Sequence, residues 1–206
     1  MLPIAHASVG FLISQIKIKG KPLSIKEVIF IIFCANLPDL DLFYVYLGGQ
    51  KIYHHLLPSH TPIFAVGTIL VFYIVYKWQR RIRGIRGKRA EGVEIGVFVL
   101  GFLAILSHLA LDDFSYWLEL VGLTTVGKPE IFWLYPFDPR RAQALIAYSH
   151  LRPSVVGFIT SYVRHPVFIF EWVFLIWAGI VFGKNYGFLV KKLFFLKNTV
   201  IKARID

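Results

Sequence analysis

Six ionisable side chains from four separate apolar segments fall at the same end of those segments: His6, Asp39, Asp41, His60, His108 and Asp112. The opposite ends hold no histidine, and their only aspartate is the terminal Asp206. Ionisable groups in a membrane segment are costly and usually functional. Imidazoles and carboxylates at matched depth, drawn from different helices, are the donors from which a bundle builds a metal site. A metal held there would polarise a phosphoryl or acyl oxygen and lower the pKa of a bound water.

Three constellations carry this chemistry. In Ser107-His108-Leu109-Ala110-Leu111-Asp112-Asp113, His108 and Asp112 stand at i and i+4 and project from one helical face, where two ligands can share a cation. In Pro38-Asp39-Leu40-Asp41, two carboxylates two residues apart can both reach a cation if the backbone turns or extends after the proline. Asp41, the more outward acid, is favoured as the ligand, leaving Asp39 to orient an imidazole or take a proton. A helix cap is the plainer role for Asp39. In His54-His55-Leu56-Leu57-Pro58-Ser59-His60-Thr61-Pro62, His55 and His60 stand in a His-x4-His spacing, just before a helix start with Ser59 or Thr61 as cap and Pro62 at its first position. His6 is alone in its segment and joins the set by depth. His54, His150 and His165 are expected to be structural. Asp113 and Glu171 are further acids at suitable depth for proton transfer, although Glu171 could equally pair with Arg164.

These residues need elements to hold them. The chain has 206 residues, 56% of them hydrophobic, above the usual share for soluble domains. The apolar residues cluster in runs at Pro3–Ile16, Ile25–Leu47, Pro62–Trp78, Val93–Tyr116 and Pro166–Phe182. The first is short for a bilayer core of roughly 30 Å and reads as tilted, re-entrant or packed within the bundle. The second is interrupted by Pro38, which breaks helical hydrogen bonding where the acids lie. Residues 117–165 form a long aromatic-rich connection, and residues 184–206 read as an amphipathic tail on the inner surface. The expectation is one all-α domain over residues 1–206, a multi-pass bundle of about four long transmembrane helices plus a short N-terminal one.

The net charge of +11 is concentrated beside the apolar runs, at Lys17 to Lys26, Lys77 to Arg89 and Lys184 to Arg204. That is how cytoplasmic flanks are marked, so nucleic-acid binding is not expected. All three clusters agree with a single alternating topology. It puts the six donors in one band near the outer surface of a cell membrane, between about 16 and about 27 Å from the inner ends of their segments at the rise of a helix. The one cysteine, Cys34, excludes a disulfide or multi-thiolate site within the chain.

Taken in order, His6, Leu37-Pro38-Asp39-Leu40-Asp41, His55-x4-His60-Thr61 and Ser107-His108-x3-Asp112 resemble the membrane-bound metal-dependent hydrolase family. That family shows an early histidine, a PDxD segment, an HRxxTHS-type segment and an SHxxxD segment, and is distantly similar to zinc-dependent phospholipase C. The resemblance covers residues 1–137, with Thr124-Thr125-x-Gly127 and Trp133-x-Tyr135-Pro136-Phe137 matching later stretches. Leu56, Ser59 and Thr61 depart from the family's usual arginine, threonine and serine. The resemblance implies a hydrolase.

The expected ligands are His6, Asp41, His60, His108, Asp112 and His55, binding one or two divalent ions, zinc first and manganese or iron also suited. Asp39, Asp113 or Glu171 would act as base. The expected substrate is a phosphoester or ester at the extracytoplasmic membrane surface, with lipid as a candidate. The rivals are a non-catalytic protein with a structural metal and a divalent metal transporter, which would need binding near the midplane and a polar path.

Overall fold

The computed structural model describes residues 2–47, 54–84, 91–123, 131–137 and 162–202, with the backbone alone at 46, 54, 91–93 and 188–202. Among these residues the fold is all-helical. Pro3, at the first position, opens α1 (Pro3–Ser14), where its fixed φ and missing N–H are harmless. Ser24 precedes α2 (Ile25–Asn36); its N–H and hydroxyl donate to Glu27 Oε2 at 2.6 and 2.8 Å, which satisfies groups exposed at a helix start.

Pro38 ends α2. The chain makes a short 3-10 turn, Pro38–Leu40, and resumes as α3 (Asp41–Leu47), the two helical pieces being bent by 63°. Further turns at His54–Leu56 and Pro58–His60 lead into α4 (Pro62–Ile82). Of the two expected caps, Thr61 is the one used: its Oγ1 accepts from Phe64 N at 3.4 Å and donates to the Pro58 carbonyl at 2.6 Å. α5 (Glu91–Asp112) and α6 (Phe114–Leu120) follow, then α7 (Pro166–Lys202).

Three stretches are long and apolar enough to cross a membrane, Pro62–Ile82, Glu94–Asp112 and Pro166–Gly187; the bent α2–α3 pair forms a fourth, broken span. Large apolar side chains stay exposed along α4 and α7, among them Leu70, Ile74, Ile176 and Ile180. In a bilayer such faces meet hydrocarbon and need no protein cover.

The short α1 is packed within the bundle, against α2, α5 and α7. A Cβ added at Gly10 would lie 2.6 Å from Ala35 Cβ, so a residue without a side chain is what lets α1 and α2 touch. Ile31, Cys34, Ala35, Ala65, Leu100, Ala104 and Ile105 form the main core between α2, α4 and α5. Arg80 of α4 pairs with the buried Glu94 of α5. Since α4 begins after His60 and α5 ends at Asp112, this ion pair fixes the hairpin at the end opposite those residues.

The fifth apolar run continues as one helix into the segment expected as an amphipathic tail, as far as Lys202. The 37 residues of α7 rise about 55 Å, more than a bilayer core needs, and Gly183 and Gly187 do not interrupt it because glycine weakens a helix without removing a hydrogen bond. Side chains from 188 onward lie outside the described residues, as do the connection at 124–130 and 138–161, including Thr124, Thr125, Gly127, Arg140, Arg141, His150 and Arg152, and the basic residues Arg86, Lys88 and Arg89.

Candidate metal centre

Four parts of the chain bring donors to one place. α1 supplies His6, the Pro38–Leu40 turn Asp39, the two turns before α4 His55 and His60, and the last turn of α5 His108 and Asp112. All six are buried. Three overlapping groups have ligand atoms within 4.8 Å of one another: His6, His108 and Asp112; Asp39, His60 and His108; and His55, His60 and Asp112. The i, i+4 pair is at the centre, with His108 Nε2 3.0 Å from Asp112 Oδ2.

The spacings suit one ion shared by several donors. Two donors held about 2.1 Å from a tetrahedral zinc lie about 3.4 Å apart. His60 Nε2 and His108 Nε2 are 3.3 Å apart. Asp112 Oδ2 is 3.6 Å from both His60 Nε2 and His55 Nε2, and Asp112 Oδ1 is 3.2 Å from His6 Nε2. Asp39 Oδ1 is 3.7 Å from His108 Nε2 and 3.9 Å from His60 Nε2. The His6 and His108 rings stack with centroids 3.8 Å apart.

The tautomers are set from outside the cluster. His108 Nδ1 lies 2.8 Å from the Ala35 carbonyl oxygen. A carbonyl only accepts, so Nδ1 carries a proton and Nε2 is the nitrogen turned inward. His60 Nδ1 lies 3.0 Å from Asp41 Oδ2, a carboxylate that also accepts from Ser59 Oγ. Burial, and next to it His55, holds His60 well below the ordinary histidine pKa. The ring is therefore neutral, the form in which imidazole ligates. Two imidazoles and two carboxylates converging in a buried space could hold a cation. His6 Nδ1 and Asp39 Oδ2 are buried with no hydrogen-bond partner among the described residues, which leaves donor capacity beyond the closest contacts.

Of the two PDxD acids, the sequence slightly favours Asp41 as the ligand. Asp39 stands in the donor group, and Asp41 sits behind His60. The 3-10 turn at Pro38–Leu40 carries the two carboxylates to different nitrogens of the His60 imidazole.

Two acids expected to move protons are engaged elsewhere. Asp113 Oδ1 accepts from Ile131 N at 3.0 Å and Oδ2 from the Trp133 indole at 2.8 Å, so it anchors the 131–137 segment. Glu171 Oε1 accepts from Leu2 N at 2.6 Å and from the Tyr162 hydroxyl; it ties α7 to the start of α1, one turn before His6. Burial, followed by Glu171, pushes the Tyr162 phenol above its ordinary pKa and keeps it a donor. His165 is structural: its Nδ1 accepts from Val167 N at 3.3 Å. The side chain of His54 lies outside the described residues.

Sequence reasoning did not find Ser59 or the Ala35 carbonyl as partners of the cluster. Ala35 had a signal: Pro38 ends α2, and the last carbonyls of a helix lack partners within it.

The YdjM inner membrane protein family model matches residues 1–188. The chain belongs to this family. Membership agrees with the apolar helices and places the donor cluster in an inner membrane protein; it does not extend to metal-dependent hydrolysis or to phospholipase C. No curated protein and no solved structure matches the chain.

Proposed function

We propose that this YdjM-family chain is a membrane-embedded metal-dependent hydrolase, cleaving a phosphoester or ester at the membrane face opposite its basic loops. The observation that supports it is the convergence of His60 Nε2, His108 Nε2, Asp39 and Asp112 in a buried cluster whose outer imidazole nitrogens are already engaged. His6 and His55 complete the donor set from the other side of Asp112. Zinc suits such mixed ligation, and manganese or iron would be accepted. When bound, a divalent ion supplies Lewis acidity to the ester oxygen and acidifies water.

The protein's own groups do the rest. Asp41 and the Ala35 carbonyl hold the two rings in the tautomer that ligates. Asp39 presents Oδ1 to the imidazoles, and its Oδ2, which has no hydrogen-bond partner among the described residues, is the oxygen we assign to receive a proton from attacking water. The cluster lies at the ends of α4 and α5 rather than midway along them, as cleavage at the membrane surface requires and a transport path does not.

The test is hydrolysis by purified protein reconstituted with zinc, assayed on soluble nitrophenyl phosphate and carboxylate esters and on phospholipid vesicles. Chelator-sensitive cleavage that disappears together with the metal in Asp112→Asn supports the reading. A metal-replete wild type that cleaves none of these compounds overturns it.

A further inference from the structure

An apolar groove of about 410 Å³ is lined by Leu37, Phe64, Gly67, Thr68, Val71 and Phe72. Five of these lie at i, i+3, i+4, i+7 and i+8 on α4 and so form one face of that helix. The sixth, Leu37, comes from the break that ends α2. Both upper walls continue directly into donor segments: Leu37 precedes Pro38-Asp39, and Phe64 N is bonded to Thr61, the neighbour of His60.

Depth limits what can occupy this groove. α4 is a membrane-crossing helix over this stretch, so the medium there is lipid acyl chain. Gly67 adds a second observation. It is exposed, and a Cβ built on it would meet nothing within 4 Å. Glycine in a helix interior lowers helix stability, and here no close neighbour requires it. What its missing side chain leaves is room along the groove.

We propose that the groove holds an acyl chain of the substrate, so that the bond cleaved belongs to a bilayer lipid entering sideways from the membrane with its headgroup at Asp39 and His60. This rests on the hydrolase reading. The chemistry balances with water alone: its oxygen bonds to the phosphorus or acyl carbon, the ester P–O or C–O bond breaks, and the leaving oxygen takes up a proton.

The test compares wild type, Gly67→Ala and Gly67→Leu, all full-length, zinc-loaded and reconstituted in phosphatidylethanolamine–phosphatidylglycerol vesicles. Equal zinc content in the three shows that the cluster is intact. Phosphatidylglycerol carrying a diazirine midway along one chain should label peptides containing Leu37 and Phe64–Phe72 in the wild type. Gly67→Leu should lower both that labelling and the preference for long-chain over dibutyryl lipid by about tenfold, the scale of a hydrophobic pocket losing its fit. Gly67→Ala should fall between. Unchanged labelling and chain-length preference in Gly67→Leu overturns the inference and leaves the hydrolase reading in place. A metal-replete wild type that cleaves neither lipid nor soluble ester overturns both.

Discussion

The Nε2 atoms of His60 and His108 approach to 3.3 Å, while the Nδ1 of one ring faces Asp41 at 3.0 Å and that of the other faces the Ala35 carbonyl at 2.8 Å. Each ring is held from behind, and the nitrogens left over point at one another and at Asp112. With each Nδ1 proton directed at an outer acceptor, the two Nε2 lone pairs face one another, an arrangement that a cation between them would stabilise. The pair can therefore serve as two ligands of one ion.

The roles of the two neighbouring acids can be separated by affinity. Asp41→Asn removes a charge behind His60 and should weaken zinc binding about 10–100-fold, the usual effect of losing an outer partner of a ligand imidazole. Asp39→Ala removes a donor and should weaken it more. Competition with a fluorescent zinc chelator measures both; the reverse order would return Asp41 to the ligand position.

Acid should displace the metal late. His60 is held below the ordinary histidine value of 6.5, so its proton competes with a metal only at pH well under that value. Zinc occupancy, read by chelator competition across a pH series, should stay level through pH 6.5 and fall only in more acidic buffer. A fall centred at 6.5 would contradict the expected order.

Packing of α1 should reach the cluster through His6. Gly10→Val puts atoms where Ala35 Cβ already lies 2.6 Å from an added Cβ and should destabilise the protein by about 1–3 kcal/mol. Zinc affinity should fall with it, because α1 moves as it is pushed off α2. Thermal unfolding in detergent together with the chelator assay tests this; wild-type values in both would detach α1 from the site.

Asp113 should behave as an anchor. Asp113→Asn keeps one acceptor oxygen and loses the other, at a cost of about 1–3 kcal/mol for an unpaired buried group. Zinc content should be unchanged, and Trp133 fluorescence should shift as the indole loses its partner. Loss of zinc without a change in fluorescence would contradict this role.

The sequence is informative where a local rule is strong. Long apolar runs named the spans, Pro38 placed the break, and the i, i+4 spacing of His108 and Asp112 placed two donors on one face of α5. Long-range partners were not legible. Asp113 meets Ile131 and Trp133, and Glu171 meets Leu2 at the far end of the chain; no pattern near either acid names those partners. Which of Asp39 and Asp41 meets the donor group depends on the phase of a three-residue turn, which composition does not fix. The long α7 was divided because a change from apolar to lysine-rich sequence looks like an ending, although nothing in it breaks the backbone.

The most direct test is zinc X-ray absorption, with metal content, on purified wild type and His108→Ala. The account predicts stoichiometric zinc in the wild type, a nitrogen and oxygen shell at about 2.0–2.1 Å with imidazole scattering, and loss of the metal in the variant. Wild-type protein that stays metal-free after exposure to zinc, or a variant with unchanged stoichiometry and shell, would contradict it.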